Sequence, residues 1–250
     1  GEGSPRWSPD GRRIAFTANR GEPEGSQIWL LANDGGEARA LTSHATSVSS
    51  IQWAPDGRWI YFTAPYEKSE EQKKREKAKD DVYAFEENYQ QRHIWRVEVE
   101  TGREERITGG DFSVIEYRLS RDGTLIALER GPTPLMDDLR HREVFVLDIA
   151  SGEMRQVTDN DVPEYGPELS PDNRQVLFRS DSNEEFESYY NDKIFVVSAS
   201  GGRAEVLLPE LPHEVTGATW SADGRSIFFT ANPGIRHELF RADVAKREAT

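Results

Sequence analysis

Cysteine is absent from all 250 residues, which removes disulfides, thiolate nucleophiles and thiolate metal sites together. That composition fits a reducing compartment and fits many bacterial exported proteins equally well. A cytoplasmic location is the expectation, with a periplasmic or secreted one left open. Long apolar runs are missing too: nothing approaches the roughly 18 residues of a membrane-spanning helix, so no membrane partner is expected. Basic residues are scarce, 31 Lys and Arg against 45 Asp and Glu, for a formal charge of -14. Counterion release, which drives nucleic-acid binding, would meet repulsion, so no nucleic-acid partner is expected.

Catalytic signatures are absent as well. No G-x-S-x-G elbow and no glycine-rich phosphate loop occur, since Gly35-Gly36 and Gly201-Gly202 read as hairpin turns. His44, His93, His141, His213 and His237 stand singly, without H-E-x-x-H or any spaced cluster. His93, before a strand, and His213, approaching Trp220, read as structural. The chain is therefore expected to carry no catalytic residue, no metal and no cofactor.

What is present is a repeat. Trp7-Ser8-Pro9-Asp10-Gly11 returns as Trp53-Ala54-Pro55-Asp56-Gly57, Leu119-Ser120-Arg121-Asp122-Gly123, Leu169-Ser170-Pro171-Asp172-Asn173 and Trp220-Ser221-Ala222-Asp223-Gly224, at intervals of 46, 66, 50 and 51 residues. After each comes a run with apolar alternate members: Ile14 and Phe16, Ile60 and Phe62, Ile126 and Leu128, Val176 and Phe178, Ile227 and Phe229. Period-two alternation marks a strand, and Asp-Gly supplies the hairpin before it. Further strands begin at Ile28, Ile94, Val144, Ile194 and Leu239, and outer ones end at Leu41-Thr42, Ile107-Thr108, Val157-Thr158 and Leu207-Leu208. With the strand leading into each motif, every repeat holds four antiparallel strands. The fold class is all-β, a β-propeller of four-stranded blades. The repeated aspartates read as turn formers, and the Trp or Leu opening each motif as blade-packing residues. An apolar fraction of 36%, with six Trp and eleven Phe, suffices for a core although 30% of residues are charged.

One propeller domain, 1–250, is expected, with repeats at about 1–48, 49–114, 115–165, 166–216 and 217–250. The fifth outer strand has barely room to start: the Leu-Thr-like pair ends 13 residues after the blade aromatic in the other repeats, and Thr250 comes ten after Phe240. A part of a larger ring is the expectation, with exposed blade faces that predict association with the missing portion or a homo-oligomer.

The regularity breaks at 66–91. Residues 66–77 contain no Gly or Pro and pair Glu70 with Lys74 and Glu71 with Arg75 at i,i+4, the pattern of a solvated helix. Over 80–91, Val82, Phe85 and Tyr89 fall at helical spacing and predict a packing stripe, with Glu86 and Glu87 beside it. A smaller break at 181–192 mixes Phe186, Tyr189 and Tyr190 with Glu184, Glu185 and Glu187, the composition of an acidic loop or of a site for a cationic ligand.

The W-S-P-D-G-x-x-I-x-F-T-A unit resembles the propeller repeat of the translocation protein TolB and of prolyl-oligopeptidase-type serine peptidases. The insertion, with Asp80-Asp81-Val82-Tyr83-Ala84-Phe85-Glu86-Glu87-Asn88-Tyr89 followed by His93-Ile94-Trp95-Arg96-Val97, resembles that of the acylaminoacyl-peptidase and dipeptidyl-aminopeptidase branch. The resemblance implies seven or eight blades, a following α/β-hydrolase domain with a Ser-Asp-His triad, in cis or as an associated fragment, and short peptide substrates admitted past the propeller. It also implies a glutamate pair gripping the substrate's amino terminus, to which Glu86 and Glu87 are the nearest match. The alternatives are a TolB-like interaction module without chemistry and a glycosidase, which would need two carboxylates about 5 to 9.5 Å apart.

Overall fold

The hairpin turns show how the repeat becomes structure. Ser8 Oγ donates to Asp10 Oδ1 at 2.6 Å, the Arg12 N–H donates to the same oxygen at 3.0 Å, and the Arg13 N–H donates to Ser8 Oγ at 2.9 Å. Ser120 with Asp122, Ser170 with Asp172 and Ser221 with Asp223 repeat this knot. The serine hydrogen bonds, seconded by the backbone, hold the Asp10, Asp172 and Asp223 carboxyls below their ordinary range. The residue after each Asp turns left-handed, at φ 68° for Gly11 and 70° for Gly224; Asn173 takes that place at 60°, a conformation its short amide tolerates. The aspartates are turn formers.

The computed structural model describes residues 2–21, 23–80, 82–83, 88–188 and 190–250. Five four-stranded antiparallel sheets follow one another along the chain. The first is β1 (Glu2–Trp7), β2 (Arg13–Ala18), β3 (Gln27–Ala32) and β4 (Arg39–Ala40). The second is β5 (Ser49–Trp53), β6 (Trp59–Pro65), β7 (Arg92–Glu98) and β8 (Glu104–Arg106). The third comprises β9 (Ser113–Leu119), β10 (Leu125–Gly131), β11 (Glu143–Asp148) and β12 (Met154–Gln156). The fourth is β13 (Tyr165–Leu169), β14 (Gln175–Ser180), β15 (Lys193–Ser198) and β16 (Glu205–Val206), and the fifth β17 (Val215–Trp220), β18 (Ser226–Ala231), β19 (Glu238–Asp243) and β20 (Glu248–Ala249). In each sheet the strands lie in chain order, the arrangement of a propeller blade.

The chain divides into two compact units, residues 1–114 with 133–135 and residues 115–132 with 136–250. Within the first, Ala15, Ile28 and Leu30 of one sheet share a core with Ile60, Phe62, Ala64 and Val97 of the next. Within the second, Ala127, Val144 and Val146 meet Val176, Phe178, Phe195 and Val197, while Leu177 and Ile194 meet Ile227, Phe229 and Ala231. Neighbours such as Leu177 and Phe178 thus enter opposite cores, because successive side chains of a strand point to opposite faces. A sheet covered on both faces needs the unbroken apolar run Val176-Leu177-Phe178. Register puts one pair at the centre of each blade: Phe16 opposite Trp29, Phe62 opposite Trp95, Leu128 opposite Phe145, Phe178 opposite Phe195 and Phe229 opposite Phe240.

The outer strands are anchored by a threonine. The N–H of Ile28, Ile94 and Val144 donates to Thr42, Thr108 and Thr158 Oγ1 at 2.9, 2.9 and 2.8 Å. The outer strand β20 pairs at Ala249 and Glu248, and Arg241 and Thr250 exchange both backbone hydrogen bonds at 2.9 Å. Motif-opening residues divide. Trp53 Nε1 donates to Arg6 O at 3.0 Å and Trp220 Nε1 to Glu168 O at 3.2 Å, each tying its inner strand to the preceding one. Trp7, expected to pack like them, is instead 56% exposed.

Phe178 is fully buried and stacks on Phe195 with ring centroids 5.3 Å apart. Truncation to Ala should cost about 3–5 kcal/mol in urea unfolding. Val82→Ala, at a residue 77% exposed, should stay within about 0.5 kcal/mol of the parent.

Candidate functional site

Between β6 and β7 the 66–91 insertion leaves the second blade. Ser69 N-caps helix α1 (Glu70–Lys77) in a capping box: its hydroxyl accepts from the Gln72 N–H at 3.2 Å, and Gln72 Oε1 accepts from the Ser69 N–H at 2.8 Å. Glu70 and Glu71 occupy the first turn and Lys74, Arg75 and Lys77 the last, complementing the helix dipole. No residue of α1 is buried, as expected of a solvated helix. Lys73, rather than Lys74, takes the acidic partners, at 3.1 Å from Glu70 and 3.4 Å from Glu67.

The expected packing stripe is corrected at its first member. Val82 is exposed, and the described residues just past α1 gather around Arg75. The Arg75 guanidinium donates to Asp80 at 3.0 Å and to the Val82 carbonyl, and lies 4.4 Å over the Tyr83 ring. Residues 82, 83 and 88–90 are not helical, and Tyr89 is half-buried. Phe85, Glu86 and Glu87 lie outside the described residues, as does Tyr189. In the 181–192 segment, Glu184, Glu185 and Glu187 are exposed, while Phe186 stacks on Phe195 at 5.6 Å. Asn183 Oδ1 accepts from the backbone N–H of Glu185 and Glu187, which shapes the described part of this acidic loop.

At the base of the insertion the Tyr66 N–H donates to Gln91 O at 2.8 Å, and Gln91 accepts from Ser113 Oγ at 2.6 Å. Above this lies a cleft of about 520 Å³. Tyr66 and Trp95 line it, with Arg106 between them: the guanidinium is 5.6 Å from the Tyr66 ring centroid and 5.9 Å from that of Trp95. Ser69, Gln72 and Gln90 bring polar groups from the insertion, and Glu67 a carboxylate. His44 closes one side, its Nδ1 donating to Glu104 Oε2 at 2.6 Å and its ring edge-on to Trp95. His93 lies beneath, fully buried, with Tyr66 and Phe112 against it. Burial pushes its pKa down to about 4, the Arg106 charge adds to this and the Gly110 backbone opposes it, so the imidazole is neutral near pH 7. Its role is packing. Among the described residues no group of three or more His, Asp or Glu is placed to hold a metal ion, and no helix is long and apolar enough to cross a membrane.

A second polar feature, not foreseen from the sequence, lies in the other unit. Glu164 is fully buried, accepting from Thr158 Oγ1 at 2.5 Å, Asn160 Nδ2 at 2.8 Å and the Val144 N–H at 3.1 Å. Glu143 is buried nearby and accepts from the Asn160 N–H at 2.8 Å. Glu129 is buried 3.5 Å from Arg142. Burial raises Glu164 to about 8 and Glu129 to about 7, the hydrogen bonds and the Arg142 charge only partly opposing it. The folded state therefore holds protons that the unfolded chain releases above its ordinary carboxylate pKa of about 4.5. The Glu164 contribution is complete below about pH 4.5 and is lost as pH rises toward 8. Unfolding free energy should fall across that window, and Glu164→Gln should flatten the fall in urea titrations at pH 5 and pH 8.

No protein-family model matches the chain. The uncharacterized peptidase YuxL of Bacillus subtilis (strain 168) is 28% identical over 180 residues, which are 72% of this chain and 22% of that protein. The chain thus spans about a fifth of that relative. Among solved structures, the acylaminoacyl peptidase of Pyrococcus horikoshii superposes with a TM-score of 0.67 at 18% identity, covering 100% of this chain and 38% of that one. A putative TolB from Agrobacterium tumefaciens gives 0.66 at 16% identity, over 100% and 79%. The oligogalacturonate lyase of Vibrio parahaemolyticus gives 0.70 at 13% identity, over 98% and 62%. Likeness at these identities establishes the fold, which the three proteins share under different names. Sequence relative and structural neighbours agree with the architecture to which the repeat pointed: this chain is a β-propeller, similar in sequence to a peptidase and in fold to an acylaminoacyl peptidase and a putative TolB.

Proposed function

We propose that this chain is the non-catalytic, substrate-gating propeller of a serine peptidase that cleaves short peptides. The observation that carries the reading is the sequence match to a peptidase over 180 residues, on a fold shared with an acylaminoacyl peptidase. A propeller of this kind excludes folded proteins by size and adds contacts remote from the scissile bond. Such contacts raise the rate when they align the substrate or favour the transition state. The chemistry belongs to an α/β-hydrolase domain, in the same polypeptide or associated with it. The alternative, a TolB-like interaction module, draws on the Agrobacterium structure, of whose chain 79% is covered.

The 250-residue chain alone should not hydrolyse aminoacyl or peptidyl p-nitroanilides. Turnover that a serine-directed inhibitor blocks would overturn the division of labour. Downstream of Thr250, the gene should encode a strand-turn-helix segment with G-x-S-x-G; a stop codon directly after Thr250 would favour the interaction module. In the complete enzyme, Glu86→Gln and Glu87→Gln should lower kcat/KM about tenfold or more for free-amine peptides, through loss of a charge-assisted pair, and leave amino-blocked ones little changed. Equal effects on both substrate types would remove these residues from amine recognition.

A further inference from the structure

We propose that the cleft at the foot of the insertion binds the carboxylate of a short peptide, with Arg106 as its cationic fork. The cleft has the volume of a small-ligand site, about 520 Å³, and combines aromatic walls with a few polar groups. Arg106 is the feature that selects the ligand. Several nearby charges are paired: Arg96 with Glu105 at 2.6 Å, Arg103 with Glu105 at 3.0 Å and Lys73 with Glu70 and Glu67, while Glu104 accepts from His44. Among the described residues no carboxylate lies within ion-pair distance of Arg106, in a chain whose acidic groups outnumber basic ones by 45 to 31. Its guanidinium is nonetheless held in place, over the Tyr66 and Trp95 rings and against Gly109. A Cβ at Gly109 would lie 3.2 Å from Arg106 Nε and 3.3 Å from the Tyr66 hydroxyl. Holding the fork before the ligand arrives reduces the ordering cost of binding.

The Tyr66 hydroxyl beside Arg106 is a donor too. Tyr66 Oη accepts the Gly110 N–H at 3.3 Å, which leaves its own proton free to donate. The Trp95 ring forms the opposite wall and contributes an apolar face, its Nε1–H being buried away from the cleft surface. The Arg106 fork and the Tyr66 hydroxyl together match a group that only accepts, and a carboxylate is planar like the guanidinium. Glu67 argues against a dianion such as phosphate, since it brings negative charge to the same cleft, with Lys73 at 3.4 Å as its partner. Gln72 and Gln90 offer amides that suit a peptide backbone. This inference rests on the peptide-handling reading of the propeller. Direct binding to the 250-residue chain tests it apart from any turnover.

The probes are acetyl-trialanine with a free carboxylate, its carboxamide, a carboxamide peptide bearing one Glu side chain, and inorganic phosphate. Calorimetry should give a Kd for the acid about tenfold or more below that of the amide, with the Glu-bearing amide not sharing the gain. Arg106→Gln should erase the difference between acid and amide while leaving the urea midpoint unchanged, and Gly109→Ala should weaken acid binding by displacing the guanidinium. The Trp95 indole N–H resonance, assigned by its loss in Trp95→Phe, should shift on adding the acid and not on adding the amide. Equal affinity for acid and amide, or an acid preference that survives Arg106→Gln, would overturn the carboxylate assignment. Phosphate binding as tight as the peptide acid would reduce the cleft to a general anion site and overturn the peptide part. A serine peptidase whose propeller lacked this preference would still satisfy the proposed function.

Discussion

The burial of an aromatic or large aliphatic residue on the second strand of each blade, opposite an aromatic on the third, is the interaction on which the rest depends. Phe62 opposite Trp95, Phe178 opposite Phe195 and Phe229 opposite Phe240 occupy equivalent places. Phe62, Phe178 and Phe229 each form part of the core with the preceding sheet, while their chain neighbours turn to the other face. A four-stranded sheet alone would expose both faces. Repetition solves that problem, because every blade then offers one surface to each neighbour within its unit. The turns follow from the same requirement: a Ser-Asp knot and a left-handed residue set the hairpin register, and a slip of one residue would send Phe178 to the wrong core.

Fixing the strands leaves the connections free to differ, and the candidate site grows from one of them. The insertion starts at Tyr66, directly after β6, and returns at Gln91, directly before β7, so two adjacent sheet ends hold its base. Residues 40 apart in sequence, Tyr66 and Arg106, meet there because β8 lies beside β7, which pairs with β6. The helix itself contributes little packing. Its capping groups and Gln72 serve the rim of the cleft, while the walls belong to the blade. Binding groups on a rigid sheet and an adaptable edge on a loop is a division that β scaffolds commonly permit.

Polar burial follows a different logic in the two units. Around the cleft, His93 is kept neutral by burial and packs as an aromatic, and His44 satisfies Glu104. In the second unit, Glu164 and Glu129 are carboxyls whose charged form is opposed by the interior. Glu164 takes the place of a backbone partner at the start of β11, receiving the Val144 N–H together with Thr158. The local geometry needs an acceptor, and the low-dielectric surroundings favour one that carries a proton.

The amino-acid sequence by itself determined the blade. Five Asp-Gly-like turns and alternate apolar residues leave no freedom about which residues pair, since turn chemistry and period-two burial are local. It also determined α1, whose caps and charge order are readable within twelve residues. The threonines that cap the third strands stood in plain view at Leu41-Thr42 and Ile107-Thr108, but their acceptor role needed the outer strand folded back on its neighbour. Glu164, in the polar run Asp159-Asn160-Asp161-Val162-Pro163-Glu164, carries no local signal of burial, and Val82 reads as an anchor. Tertiary structure buried the first and exposed the second, because burial depends on which strand end or arginine a segment meets in space. Arg106 shows the same limit: its sequence neighbours Glu104 and Glu105 are claimed by His44, Arg96 and Arg103, and only the folded blade leaves this guanidinium facing the cleft beside Tyr66.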